Sequence, residues 1–280
     1  MSSGWLDPPL GAVREVVARA LAEDLGVLGD LTAGLVPPGA MVVAAVVARA
    51  SGVLAGRLAA TEAFSAVDPG LRVVWEVADG DRLGAGQVLA RVDGRLASVL
   101  TAERTALNLL GHLSGIATLT QRYAEAARPA RIRDTRKTTP GLRALEKAAV
   151  RAGGGVNHRG SLADGVLVKD NHLAGLTIAE AVATARSRWP GQNCQVECDS
   201  LAQVAEAIGA GADAVLVDNM TTAQVAEAVA LVGGRVPLEV SGGVTLVSVA
   251  AYAAAGADLI AVGALTHSAP VLDIGLDLEG

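Results

Sequence analysis

The stretch Arg133-Asp134-Thr135-Arg136-Lys137-Thr138-Thr139-Pro140 is where the chain declares its architecture. Ala130 to Thr135 runs as a strand, Pro140-Gly141 turns the chain, and Leu142 to Ala152 has the spacing of a helix. The strand therefore ends on a guanidinium, an ammonium and hydroxyls at the mouth of a βα unit. That grouping suits a ligand rich in carboxylate or phosphate. A solvated basic loop has the same composition, and the stretch alone does not separate the two.

The residues that follow do. Strands are expected at Ala130–Thr135, Gly165–Val168, Cys194–Glu197, Ala214–Val217, Pro237–Val240 and Leu259–Val262. Amphipathic helices are expected between them at Thr177–Arg188, Leu201–Ala210, Thr221–Val232 and Thr245–Ala255. The later units recur about every twenty residues and close on Gly-Ala-Asp or Gly-Gly, a βα rhythm that predicts a barrel. Barrel chemistry collects at strand carboxyl ends. Those ends carry Arg136-Lys137, Lys169-Asp170, Glu197, Asp218-Asn219, Ser241-Gly242-Gly243 and Gly263. A purely structural series would not need a charge or a glycine at each of them.

Each group has a chemical reading beside a plainer one. Glu197 and Asp218 can hold a hard cation such as Mg²⁺ or the hydroxyls of a sugar. Helix capping is the alternative, and it suits Asp218 better than Glu197. Ser241-Gly242-Gly243, with a helix expected from Thr245, can present backbone N–H groups to a phosphate, with Gly263-Ala264 as a second wall. A tight turn is the plainer reading there. Lys169, after an apolar run, needs an anionic partner, either Asp170 or a ligand. Gly153-Gly154-Gly155-Val156-Asn157-His158-Arg159 is a flexible run that ends in two further groups able to donate to an anion. His158 alone reads as a structural hydrogen-bonder, and its place beside Arg159 favours a ligand role. His112, His172 and His267 do not make a metal-ligand spacing.

Upstream, Asp7-Pro8 has the form of a helix start, with the Asp7 carboxylate as cap, and the apolar spacing continues to Leu21. A strand is expected at Val42–Arg49, a turn region at Gly52–Gly56 and a helix at Leu58–Val67. Val73–Val77 and Val88–Val92, joined by Asp-Gly and Gly-x-Gly turns, give a small β-rich layer. Its wording is shared with biotinyl and lipoyl carriers, but the lysine such carriers modify is missing. Thr101 is a plausible cap for a long helix with a break at Ser114-Gly115. Arg104 then falls in the first turn, where a cation opposes the helix dipole. It reads as a functional arginine or a surface ion pair.

Composition narrows the class. The 280 residues fit a large α/β domain with a smaller companion, and 51% are hydrophobic with one Phe, two Tyr and three Trp. The core must be built from Ala, Val and Leu, and no aromatic platform is left for stacking bases. A net charge of −6 argues against a nucleic-acid binder. The apolar runs fall well short of the roughly 20 residues a membrane span needs. The opening Met1-Ser-Ser-Gly-Trp-Leu carries no signal-peptide pattern, so a cytoplasmic protein is expected. Cys194 and Cys198, four apart on one strand face, read as reduced buried thiols. Ala214-Val-Leu-Val-Asp218-Asn219-Met-Thr221-Thr222 echoes the Rossmann-like phosphoribosyltransferase signature. It lacks the second acid and the closing glycine, so that fold is not indicated.

Taken in order, the motifs resemble the quinolinate phosphoribosyltransferase family. The segments are Glu23-Asp-Leu-Gly, Ala102-Glu-Arg-Thr-Ala-Leu-Asn-Leu-Leu, Leu113-Ser-Gly-Ile-Ala-Thr, Arg133-Asp-Thr-Arg-Lys-Thr and Gly153-Gly-Gly-Val-Asn-His-Arg. Leu167-Val-Lys-Asp-Asn-His, Leu216-Val-Asp-Asn-Met, Glu239-Val-Ser-Gly-Gly and Ala261-Val-Gly-Ala-Leu-Thr-His-Ser complete the set. Gln195, in place of an expected Glu, and Ala33 depart from the pattern, and neither is expected to touch a residue of the chemistry.

The resemblance implies an N-terminal α/β sandwich domain (1–112), a TIM-like α/β barrel that can be open or incomplete (113–268), and a C-terminal segment (269–280) returning to the first domain. It implies a homodimer in which Arg104 reaches the partner's site. The implied reaction joins quinolinate to phosphoribosyl pyrophosphate, giving nicotinate mononucleotide, pyrophosphate and CO₂ in de novo NAD synthesis. A paralogue of the same fold acting on another anion is the alternative. On this reading Arg104, Thr135, Arg136, His158, Arg159 and Lys169 bind quinolinate. Lys137, Glu197 and Asp218 are catalytic and, with Ser241, Gly242, Gly243, Gly263 and Ala264, bind phosphoribosyl pyrophosphate. Glu197 and Asp218 are also the expected Mg²⁺ ligands. No membrane or nucleic-acid partner is expected.

Overall fold

The structure is a computed structural model and describes residues 6–279. The reading of the first five residues as no targeting signal therefore lies outside the described residues. The chain divides into two compact units. One holds the chain up to Gln121, Thr138–Gly154 and Leu265 onward, and the other holds Arg122–Lys137 and Gly155–Ala264. The helix after Pro140 thus groups with the first unit. Among the described residues no helix is long and apolar enough to cross a membrane.

The first unit opens with α1 (Leu10–Leu25), whose Val13, Val16, Val17 and Leu21 are buried. Its cap position is Pro9, and no side chain caps it, so Asp7 does not play that part. The reason is the second proline: a residue that precedes proline is pushed out of the α region, so the helix cannot start at Pro8. Then follow β1 (Met41–Ala48), β2 (Gly52–Val53), α2 (Arg57–Val67), β3 (Arg72–Trp75), β4 (Arg82–Leu83) and β5 (Val88–Arg95). The last strand in the chain, β12 (Ile274–Glu279), pairs antiparallel with β1 and completes a sheet of order β12-β1-β5-β3. α2 buries Ala59, Ala60, Ala63 and the chain's single phenylalanine, Phe64.

The long helix differs from expectation at both points. α3 runs from Leu96 to Ala126 without a break. Thr101 is inside it, its hydroxyl bonded to Ala97 O and Asp30. Arg104 is therefore inside the helix rather than in its first turn, and it does not oppose the dipole there. Ser114 and Gly115 do not break the helix because each serves a close contact. The buried Ser114 Oγ bonds both the N–H and the C=O of Ala55, at 3.1 Å. A Cβ on Gly115 would fall on the Pro270 carbonyl. Four residues earlier, the Gly111 carbonyl accepts the N–H of Leu272 at 3.0 Å.

The second unit is a parallel sheet. Its strands are β6 (Arg131–Arg133), β7 (Val166–Val168), β8 (Cys194–Cys198), β9 (Ala214–Asp218), β10 (Leu238–Ser241) and β11 (Leu259–Ala261), in spatial order β6-β11-β10-β9-β8-β7. The first strand lies beside the last, as in a barrel, but β6 and β7 do not pair and the barrel stays open. Val156 adds a single parallel bridge to Arg133, so the glycine-rich run before it ends on a pinned residue. Helices α5 (Ile178–Arg188), α6 (Leu201–Gly209), α7 (Thr222–Val232) and α8 (Val249–Ala254) join the strands, and α4 (Arg143–Ala152) belongs to the first unit.

Two local rules build these units. Thr177, Ser200 and Thr221 cap their helices with side-chain oxygens, the first and last with a reciprocal Glu180 or Gln224. The repeated Gly-Ala-Asp has a job as well. Asp213 Oδ2 accepts the N–H of Cys194, and Asp258 Oδ2 that of Leu238, each at 2.8 Å. Each carboxylate thereby satisfies the first N–H of the neighbouring strand. Cys194 and Cys198 are buried free thiols, and burial pushes Cys198 up to about 12.

Gly115→Ala should lower the thermal midpoint, although alanine is normally worth about 1 kcal/mol over glycine inside a helix. The clash with Pro270 outweighs that gain, at a cost of about 1–3 kcal/mol for overpacking. A midpoint equal to or above that of the parent in differential scanning calorimetry would show that the close contact is not there.

Candidate active site

Side chains alternate along a strand, so residues two apart share a face. On β8 this puts Cys194, Val196 and Cys198 on the buried helix side, and Gln195 and Glu197 on the other. The same parity pairs Leu167 with Lys169, Leu216 with Asp218 and Glu239 with Ser241. These residues, with Thr135, Arg136, Lys137, His158, Arg159 and Ala261, enclose a cavity of about 410 Å³.

Nine of the expected site residues therefore come together: Thr135, Arg136, Lys137, His158, Arg159, Lys169, Glu197, Asp218 and Ser241. Gly242, Gly243, Gly263 and Ala264 follow directly on β10 and β11 but are not among its lining residues. The helix expected from Thr245 begins only at Val249, because Thr245 and Ser248 bond to each other's backbone N–H groups and hold a turn. The glycine at 242 is required by its φ of +95° and by Asn219, which packs where a Cβ would stand. Arg104 lies in the first unit, largely exposed, 3.6 Å from Glu103.

The acids and cations at the mouth are held by specific contacts. Lys169 Nζ donates to Glu197 Oε2 at 2.6 Å, so its partner is Glu197 rather than Asp170. Asp218 accepts from Asn219 Nδ2 at 2.5 Å and does not cap α7, a task Thr221 performs. Both carboxylates therefore face the cavity from adjacent strands instead of serving helix ends. Arg159 Nη1 donates to Gly165 O at 3.2 Å. Burial, and then the charge of Arg136, hold the Arg159 guanidinium below its usual range. An anion bound beside Arg159 would relieve that repulsion.

Below this mouth lies a polar floor set back from the strand ends. Glu239 is fully buried on β10. Its Oε2 accepts from Arg133 Nη1 at 2.7 Å and from Gln195 Nε2 at 2.8 Å. Its Oε1 has no hydrogen-bond partner among the described residues. Gln195 Oε1 lies 3.0 Å from His158 Nε2, and His158 Nδ1 accepts the N–H of Arg159 at 2.8 Å. Gln195 thus does touch a residue of the site, contrary to the expectation for that departure. Asp134, also fully buried, accepts from His158 N and Asn157 Nδ2. Burial, with Arg133 and Arg159 nearby, holds the His158 imidazole below its usual range against the pull of Glu239 and Gln195. The signal for this floor was present in the sequence: Arg133, Gln195 and Glu239 stand two residues before Thr135, Glu197 and Ser241.

Comparison with known proteins agrees with this geometry. Residues 30–114 match the quinolinate phosphoribosyl transferase N-terminal domain and residues 116–277 its C-terminal domain. The chain is 47% identical to the nicotinate-nucleotide pyrophosphorylase [carboxylating] of Mycobacterium leprae, covering 97% of this chain and 99% of that protein. It is 41% identical to the probable nicotinate-nucleotide pyrophosphorylase [carboxylating] of Bacillus subtilis, over 95% and 93%. The structure of the nicotinate-nucleotide pyrophosphorylase from Francisella tularensis superposes with a TM-score of 0.94 at 36% identity, covering 98% of each chain. With both domain models matched in order across most of its length, the chain belongs to the quinolinate phosphoribosyl transferase family.

Proposed function

We propose that this enzyme transfers the phosphoribosyl group of phosphoribosyl pyrophosphate to the ring nitrogen of quinolinate, with decarboxylation, yielding nicotinate mononucleotide, pyrophosphate and CO₂ for NAD synthesis. The observation that carries this reading is the pairing, in one cavity, of the Arg136–Arg159–Lys169 cations with the Glu197 and Asp218 carboxylates. A pyridine dicarboxylate needs the first group, and a ribosyl cation needs the second.

The chemistry follows from charge. Arg136 and Arg159 bind carboxylates in bidentate fashion, and Lys169 adds a point charge. A substrate carboxylate arriving at Lys169 competes with Glu197 for the ammonium, which releases Glu197 toward the ribose hydroxyls. The pyridine lone pair forms the bond to ribose C1′ as the bond to pyrophosphate breaks. The leaving group takes the electron pair toward Lys137. Glu197 and Asp218 place negative charge beside the oxocarbenium-like carbon. Ser241, Gly242, Gly243 and Gly263, with Ala264 beside them, cradle the 5′-phosphate. The ribosylated ring is cationic, so the C2–carboxylate bond can break with its electrons left on C2, stabilised by that cation until a proton is taken up. The protein supplies orientation and exclusion of water rather than a base.

Mg²⁺ fits the donor set, since Glu197 and Asp218 offer hard carboxylate oxygens on neighbouring strands. Among the described residues no group of three or more His, Cys, Asp or Glu could hold a metal alone. Held there, the ion would offset the charge of the departing pyrophosphate. We assign Arg104 to the site of a second copy in a homodimer. Exposed Val27, Leu28, Leu31 and Leu35 on the first unit are apolar surface that such a copy would cover. The buried free thiols suit a reducing, cytoplasmic setting.

Arg136→Ala should leave the circular dichroism spectrum unchanged and lower kcat/KM for quinolinate by about two orders of magnitude, or roughly 2.7 kcal/mol. Unaltered steady-state constants would remove Arg136 from the carboxylate clamp. Mixing inactive Arg104→Ala with inactive Glu197→Ala protein should restore partial activity once subunits exchange. No recovery after verified exchange would place Arg104 outside the partner's site.

A further inference from the structure

We infer that Gln195 is a positioning residue for Arg159: it locks His158 in the neutral Nε2–H tautomer, whose Nδ1 holds the Arg159 backbone. This rests on the reading of Arg159 as a quinolinate ligand.

One chain of hydrogen bonds fixes the tautomer. Glu239 is fully buried and paired with Arg133, so its Oε2 acts only as an acceptor. Gln195 reaches that same oxygen at 2.8 Å and must present its NH₂ group there. The amide orientation is thereby decided, and Gln195 Oε1 is what faces His158 Nε2 at 3.0 Å. That nitrogen must carry a hydrogen. At the other side of the ring, the Arg159 N–H points at Nδ1 from 2.8 Å, so Nδ1 must offer its lone pair. A proton on Nδ1 would set N–H against N–H. Both ring nitrogens are thus committed within the protein, and an imidazolium has no place.

The surroundings agree. The charged groups around the ring are Glu239 on β10, Arg133 on β6, Arg159 on the same loop and Asp134, whose Oδ1 accepts the His158 N–H at 2.8 Å. Asp134 and Asn157 hold the loop backbone, and the ring sets the next peptide, from which the Arg159 side chain leaves toward the cavity. A glutamate at 195 would set a second carboxylate against Glu239 and favour a charged imidazole. Glutamine removes both effects.

The test uses the full chain. In ¹⁵N-histidine spectra, assigned with a His158→Asn control, His158 should show a protonated Nε2 and an unprotonated Nδ1 at neutral pH. Gln195→Met should lose that signature and raise KM for quinolinate about tenfold, leaving kcat and KM for phosphoribosyl pyrophosphate within about twofold. His158→Asn keeps an acceptor near the Nδ1 position but has no Nε2–H. It should raise KM for quinolinate about threefold, against about tenfold or more for His158→Leu. Equal losses for Asn and Leu would show that an acceptor at the Nδ1 position does not set Arg159, and would overturn the inference. So would a doubly protonated His158 in the parent, or parallel shifts in both KM values together with the thermal midpoint. Absence of any quinolinate turnover in the parent would instead sink the proposed function, while the tautomer would still be read from the spectra.

Discussion

A carboxylate with no exposed surface, Glu239, is the constraint around which the second unit is arranged. An ion placed in a protein interior is tolerated only with a partner, and removal of the partner costs about 3–5 kcal/mol. Arg133 supplies that partner from β6 and Gln195 adds a hydrogen bond from β8, so one side chain ties together three strands of an open sheet. A hydrophobic trio of similar volume would serve stability as well. What the charged version adds is direction, because every donor and acceptor along Arg133, Glu239, Gln195, His158 and Arg159 has a defined sense.

Above that floor the fold separates tasks that a sequence reading runs together. An acid at a strand end can cap the next helix or face a ligand, and here separate hydroxyl residues do the capping. Ser200 and Thr221 take the helix ends, leaving Glu197 and Asp218 on the cavity wall. In the same way Asp213 and Asp258 satisfy strand N–H groups at the opposite end of the units, so the Gly-Ala-Asp repeat is structural throughout.

The βα series was legible because period-two and helical spacing are local properties, and each of the six parallel strands lies within a residue or two of where apolar runs put it. Cavity residues at strand ends were legible for the same reason. Helix starts were less so. Asp7 and Thr101 carry the right side chains for caps, but a second proline displaces the first and an earlier start at Leu96 overtakes the other. Partners were not legible at all where they depend on neighbouring strands. Lys169 finds Glu197 across β7 and β8, and Gln195 finds His158, contacts separated by 28 and 37 positions in the chain. Register between β7 and β8 supplies the first and the loop after Val156 the second, and single-strand periodicity contains neither.

The β12–β1 pairing has a bearing on how the chain comes into being. Residues 274–279 are synthesised after every strand of the parallel sheet, yet they form one edge of the sheet that begins at Met41. The Gly111 carbonyl likewise waits for Leu272. Domains on a growing chain ordinarily settle from the amino end. Here the order is reversed in part: all six parallel strands have emerged while the earlier-made sheet still exposes β1 as an unpaired edge. Such an edge is a template for a neighbouring nascent chain.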